Sequence, residues 1–167
     1  MKLRPLRLAL VLCLAAVGLL VLPLPAQAKR STLGPHVGIN LDWDTALLGL
    51  EGRFDIVTVG RSAMLQLNPT FSYYFDDDDN NLAVFNFSLN LPFEFQIGDS
   101  VLRPFFAPGF GLLFFSRDNV DDDTDLKLNL LGGLLFYLNP VDLFVQCKVA
   151  IGDSTEAEII GGLLFHL

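Results

Sequence analysis

Cysteine is scarce in this chain, with only Cys13 and Cys147. Cys13 lies in an N-terminal apolar stretch that reads as removable, which leaves one thiol and no internal disulfide to staple a fold. Base is scarce as well: 11 Lys and Arg stand against 19 Asp and Glu. The first 28 residues hold three of the basic groups, Lys2, Arg4 and Arg7, and none of the acidic ones, so the remainder carries eight against nineteen, a net charge of −11. That balance excludes nucleic acid, whose phosphates need a basic face, and gains nothing from anionic lipid. Helical periodicity is missing beyond residue 28.

The one long uninterrupted apolar run is residues 8–22. It follows the basic start, is broken by Pro23 and Pro25, and leads to Ala26-Gln27-Ala28. Positive, apolar, then small is the order of a Sec signal peptide, with cleavage expected after Ala28. A permanent helical anchor needs a somewhat longer run. A lipoprotein reading of Cys13 fails on the bulk of Leu12. The expected organisation is therefore a signal peptide over residues 1–28 and one domain over residues 29–167.

What is present instead of helices is alternation with period two, the mark of strands with distinct faces. Leu33, Pro35, Val37, Ile39, Leu41 and Trp43 oppose His36, Asn40 and Asp42. Ala46, Leu48, Leu50, Gly52, Phe54 and Ile56 oppose Glu51, Arg53 and Asp55. Leu65, Leu67, Phe71 and Tyr73 oppose Gln66, Asn68, Ser72 and Tyr74, and Phe85, Phe87, Leu89 and Phe93 oppose Asn86, Ser88, Asn90 and Glu94. Residues 101–115 are apolar on both phases; Phe106, Phe110 and Phe114 are assigned outward, which turns Arg103, Gly109 and Gly111 inward. Leu126, Leu128 and Leu134 oppose Asp125, Lys127 and Asn129, Val145 and Val149 oppose Asp142, Gln146 and Lys148, and Ile159 and Leu163 oppose Glu158 and His166.

These make eight segments of about ten residues, the length a tilted strand needs to cross a bilayer. No strand charge falls on the apolar phase. An Arg or Lys facing lipid near the midplane costs about 2–4 kcal/mol, so this distribution fits strands whose apolar phase meets lipid. Backbone N–H and C=O groups cannot stay unpaired in hydrocarbon, and only closure removes the edges. The fold class expected is all-β: an eight-stranded antiparallel up-and-down transmembrane β-barrel, preceded by a cleavable signal peptide.

The connections alternate too. Val59-Gly60-Arg61-Ser62, Gly98-Asp99-Ser100 and Asn139-Pro140 are tight turns, while residues 76–81, 117–123 and 153–156 are acidic. Tight turns on the periplasmic side and longer loops outside is the usual arrangement of such barrels. Eight strands leave an interior that side chains can fill. The interior polar network expected from the inner phase is His36, Glu51, Arg53, Asp55, Glu94, Arg103, Lys127, Lys148, Glu158 and His166, with opposite charges paired.

Residues 67–75, Leu-Asn-Pro-Thr-Phe-Ser-Tyr-Tyr-Phe, resemble the third strand of the OmpA-like or OmpX-like outer-membrane β-barrel domains. Residues 103–111, Arg-Pro-Phe-Phe-Ala-Pro-Gly-Phe-Gly, are similar to the fifth-strand stretch of the same family. The ending Gly162-Leu163-Leu164-Phe165-His166-Leu167 resembles the signal read by the barrel-assembly machinery, departing from it in a final Leu where an aromatic is usual. The resemblance implies a Gram-negative outer-membrane location, outer-membrane lipids, lipopolysaccharide and the assembly machinery as partners, and a monomer. No peptidoglycan-binding segment follows the barrel, so wall anchoring is not expected.

Other motifs read as structural. Asp76 to Asp79 and Asp121 to Asp125 supply oxygens, but without the glycine and terminal glutamate of an EF-hand loop they are read as solvated loops. His36 and His166 share the inner phase on strands that closure makes adjacent; two histidines without a third ligand are not a metal site, so hydrogen bonding is expected. Glu51, Arg53 and Asp55 read as a salt-bridge ladder rather than catalytic groups. Trp43, Tyr73, Phe75 and Phe115 are expected as interfacial aromatics on the outer side. No cofactor, metal or catalytic residue is expected. The function expected is a non-enzymatic outer-membrane barrel with a polar, side-chain-filled interior, serving envelope structure or surface interaction. The alternatives are a narrow, porin-like small-solute or ion channel, a barrel enzyme modifying lipid A or a phospholipid, and a soluble periplasmic barrel with apolar groups inside.

Overall fold

The computed structural model describes residues 30–60, 62–75, 82–117 and 123–167. The expected leader with its cleavage after Ala28, and the acidic runs 76–81 and 118–122, lie outside the described residues.

The described residues form nine strands: β1 (Ser31–Asn40), β2 (Thr45–Val59), β3 (Ala63–Phe75), β4 (Leu82–Asn90), β5 (Phe93–Phe95), β6 (Leu102–Arg117), β7 (Asp123–Phe136), β8 (Val141–Ile151) and β9 (Thr155–His166). β4 and β5 are two parts of one stave. Pro92 has no N–H to give to a ladder, so regular pairing lapses at Leu91-Pro92. The neighbours bridge the lapse: Leu91 N–H donates to the Pro108 carbonyl at 2.8 Å, and Gln66 N–H donates to the Pro92 carbonyl at 2.9 Å. Sequential staves pair antiparallel, and β1 pairs with β9, which closes eight staves into an up-and-down barrel. Among the described residues there is no helix.

Alternation sorts the side chains. Val37, Ile39, Leu48, Leu50, Phe106, Phe110, Leu126, Leu128, Val145 and Ile159 stand exposed on the outer wall, while Glu51, Arg53, Lys127, Asp142, Lys148, Glu156 and Glu158 are buried inside. The register of β6 falls as expected, with Phe106 and Phe110 out and Phe105, Ala107 and Leu113 in. In β2 the register shifts between Asp55 and Val57, a local irregularity that sets Ile56 and Val57 both outward. Phe54 takes the outer phase but is only 7 % exposed. Its ring lies over Gly52, which offers no side chain to hold it off.

The turns have the backbone they need. Gly60 and Gly98 adopt φ of 67° and 54°, the left-handed region that glycine enters without a Cβ clash. Asp44 holds φ of 51° in the short β1–β2 connection. There the Asn40 side-chain oxygen accepts the N–H groups of Asp42 and Trp43, both at 3.0 Å.

Three expectations are corrected. The interior is not polar throughout: Leu47, Tyr74, Val84, Phe105, Leu113, Leu131, Leu135, Phe144, Ile160 and Leu164 form an inner apolar cluster. A barrel this narrow must fill its axis, and apolar side chains do so without needing partners. Trp43 and Phe115 are not outer interfacial groups. They pack against that inner cluster, with Trp43 5.4 Å from Tyr74 and 6.1 Å from Phe115 between ring centroids. Trp43 follows the end of β1, so strand parity no longer directs it. Glu156, read as part of an acidic loop, belongs to β9 and is 2 % exposed.

Candidate functional site

The lumen gathers the ionised groups into three clusters. At the end that carries the β1–β2 and β8–β9 connections, Lys127 Nζ is surrounded by oxygen. Asp125 Oδ2 lies at 2.7 Å, Glu156 Oε1 at 2.9 Å, and the carbonyl and hydroxyl oxygens of Ser154 at 2.9 Å each. The ammonium thereby ties the β8–β9 turn to β7. Below it, Lys148 and Glu158 pair at 3.2 Å, and the Tyr74 hydroxyl donates to Glu158 at 2.6 Å.

The middle cluster is built on β2. Arg53 Nε donates to Glu51 Oε1 at 2.8 Å. Gln146, across the lumen on β8, completes the pair: its oxygen accepts from Arg53 Nη2 at 3.3 Å and its amide donates to Glu51 Oε2 at 3.2 Å. The guanidinium also lies over Phe105 and Phe144, 4.2 and 5.1 Å from their ring centroids. Asn68, Asn90 and Asn129 form an amide chain across three staves, each link 3.2 Å. Gly109 makes room for it, since a Cβ there would strike Asn90 and the Leu89 carbonyl.

The third cluster closes the end that holds Arg30 and Leu167. Gln66 donates to Asp55 at 2.8 Å and to Glu94 at 3.1 Å. Glu94 also accepts from Arg103 at 2.8 Å and from the Tyr137 hydroxyl at 2.7 Å. Arg103 and Arg30 each place their guanidinium carbon 3.6 Å from the Tyr137 centroid, so they take opposite faces of one ring. Arg30 contacts Asp142, and His166 Nε2 lies 2.9 Å from Asp142 Oδ2. Burial lowers the Arg30 pKa to about 10, against the attraction of Glu94 and Asp55.

Of the ten residues expected in the network, nine meet a partner from this list or a neighbour within the lumen, and His166 sits at its mouth. The expected meeting of His36 and His166 does not occur. His36 is level with Gly162, and His166 lies four residues further along β9, about 13 Å at ~3.3 Å per residue. His36 instead bonds Ser72 Oγ at 3.0 Å. Gln66, Asn129, Tyr137 and Gln146 contribute without a charge to single them out, and Arg30 lies before the first alternating segment that was read. Arg30 shares the parity of Thr32 and His36, so extending the alternation back by one pair places it inward. Among the described residues, no cluster of three or more His, Cys, Asp or Glu is arranged to hold a metal.

A closed eight-stave barrel, apolar outside and ionised within, is the construction of the small bacterial outer-membrane barrels. The chain shares this fold with solved examples. The N-terminal β-barrel domain of Pseudomonas aeruginosa OprF aligns over 84 % of this chain and 98 % of that one, with TM-score 0.68 and 15 % identity. Ail, the attachment invasion locus protein of Yersinia pestis, aligns over 83 % and 97 %, with TM-score 0.57 and 14 % identity. The outer membrane enzyme PagL aligns over 82 % and 98 %, with TM-score 0.52 and 16 % identity. No family model and no curated protein matches the chain.

Proposed function

We propose that this protein is a non-enzymatic barrel of the bacterial outer membrane, delivered there by its leader, which serves envelope structure or surface interaction. The observation that carries this is the inversion of sidedness. Leucine, valine and isoleucine cover the outer wall while paired charges occupy the axis. In water such a wall would leave a continuous apolar surface far larger than soluble monomers tolerate. In lipid it is the favourable arrangement, and closure satisfies every stave. A soluble periplasmic barrel with a ligand cavity calls for the opposite distribution. Outer-membrane lipids and lipopolysaccharide are then its surroundings and the barrel-assembly machinery its route in.

The enzyme reading rests on the likeness to PagL and on the contact of His36 with Ser72. The pair lies inside the barrel, with His36 2 % and Ser72 3 % exposed. The other ring nitrogen, Nδ1, has no hydrogen-bond partner among the described residues, so none of their carboxylates orients the imidazole as a general base requires. A porin-like reading has to contend with side chains packed across the axis.

Fractionation and heat-shifted gel mobility test the proposal. The protein should sediment with outer membranes and run with altered mobility unless boiled. Recovery in the soluble periplasmic fraction without detergent would refute it. Lipid A from cells with and without the protein should give the same mass spectrum, and steady currents in planar bilayers should be absent; a new lipid A species or a steady conductance would replace the structural role with one of the other two.

A further inference from the structure

The wall is not stitched equally all the way round. β7 pairs with β8 without a gap from Leu128 opposite Ile151 to Phe136 opposite Leu143, and β8 pairs with β9 without a gap from Val141 to Ile151. The ladder between β2 and β3 stops at Glu51 opposite Thr70 and resumes at Phe54 opposite Leu67. On the other side of β3, pairing lapses again between Asn68 opposite Asn90 and Leu65 opposite Phe93.

Proline parity accounts for these gaps. Gln66 N–H donates to the Pro92 carbonyl, so the even positions of β3 turn their backbone groups to the β4–β5 stave and the odd positions to β2. Carrying the register across the β2–β3 gap sets Gly52 opposite Pro69. Pro69 is odd, so it meets the Gly52 carbonyl with no N–H to give. Pro92 takes the Gln66 N–H but returns none, and Pro108 takes the Leu91 N–H but returns none. The missing donors thus fall on adjacent ladders. A gap at Pro35, between Leu33 opposite Phe165 and His36 opposite Gly162, is different: the flanking β1–β2 and β8–β9 ladders are continuous.

We propose that β2, β3 and the β4–β5 stave form the seam at which this barrel wall opens first, and that Asn68 is the staple that holds it shut from inside. Asn68 Nδ2 donates to the Gly52 carbonyl at 2.8 Å, the bond that Pro69 cannot make. In hydrocarbon an unpaired carbonyl has no water to turn to, so the side chain replaces the ladder. Asn68 is 1 % exposed, and Asn90 and then Asn129 hold it in place, amide to amide. On the lipid side the Phe54 ring lies over Gly52 and covers the same gap. The inference needs only a closed barrel and does not depend on the envelope role.

Amide hydrogen exchange, followed by nuclear magnetic resonance of the refolded protein in micelles, reads local opening residue by residue. In the wild type, the amides of Gly52, Gln66 and Leu91 should exchange faster than those of Val145 and Cys147 in the continuous ladders. Asn68→Leu, which keeps the bulk and loses the donor, should speed exchange at Gly52 by about 3–10-fold, the worth of one hydrogen bond, and leave β8 unchanged. Pro69→Val, which restores a backbone N–H, should slow it. Seam amides as well protected as those of β8 overturn the proposal from the wild-type spectra alone, whether or not the variants fold. Exchange in Asn68→Leu that is unaltered, or that rises evenly round the barrel, overturns the staple.

Discussion

Lys148 and Glu158 are direct cross-strand partners of β8 and β9, and their charged ends meet 3.2 Å apart inside the barrel wall. The next position along, Cys147 opposite Ile159, faces outward. A single residue of register thus separates a buried ion pair from the apolar surface. That pair is held further by Tyr74, whose hydroxyl donates to Glu158.

Lys148→Met should therefore cost about 3–5 kcal/mol, because it strands Glu158 in a site with little water. The double variant Lys148→Met/Glu158→Gln should recover a large part of that loss. Reversible urea unfolding in lipid vesicles gives both numbers. Equal stability of the single variant and the wild type would mean that the pair contributes nothing.

Gly132 and Gly133 are neighbours on β7 with opposite surroundings. A Cβ at Gly132 meets nothing within 4 Å, whereas at Gly133 it would lie 2.8 Å from both Gln146 Cβ and Phe105 Cζ. Gly132→Ala should stabilise by about 0.5–1 kcal/mol through reduced freedom of the unfolded chain. Gly133→Ala should destabilise by about 1–3 kcal/mol by overpacking. The same unfolding measurement separates them, and a reversed order would place Gly133 on the outer wall.

Trp43 is the one tryptophan of the chain. Packed on Tyr74 and Phe115 at the mouth, it should keep its fluorescence when lipids carrying bromine on their acyl chains replace ordinary ones. Strong quenching would return it to the outer belt.

Cys147 is the one free thiol among the described residues, and it points outward. If the wall faces lipid, a membrane-permeant maleimide should label it in vesicles while a charged, impermeant one should not. Rapid labelling by the charged reagent would contradict the proposed setting.

Much of this was legible in the residues. Period-two alternation gave the inner placement of Glu51, Arg53, Lys127 and Glu158, because a strand has two faces and lipid penalises charge on one of them. In β6, where both phases are apolar and alternation left the register open, the favoured phase, with Phe106 and Phe110 outward and Arg103 inward, is the one the structure adopts. Legibility failed where alternation stops or bends. Trp43 lies in a turn, Phe54 folds over Gly52, and Glu156 continues β9 into what composition marks as a loop.

The amino-acid pattern by itself determined the number of staves, the sidedness and the sites of the tight turns, since each follows from local periodicity and from what a glycine or proline allows. Only the tertiary structure decided who meets whom across the lumen. That Gln146 completes Glu51 and Arg53, that His36 finds Ser72 and not His166, and that Arg30 stacks on Tyr137 all depend on stagger between staves far apart in the chain. Stagger is set by closure of the whole ring, so it has no signature in any one segment.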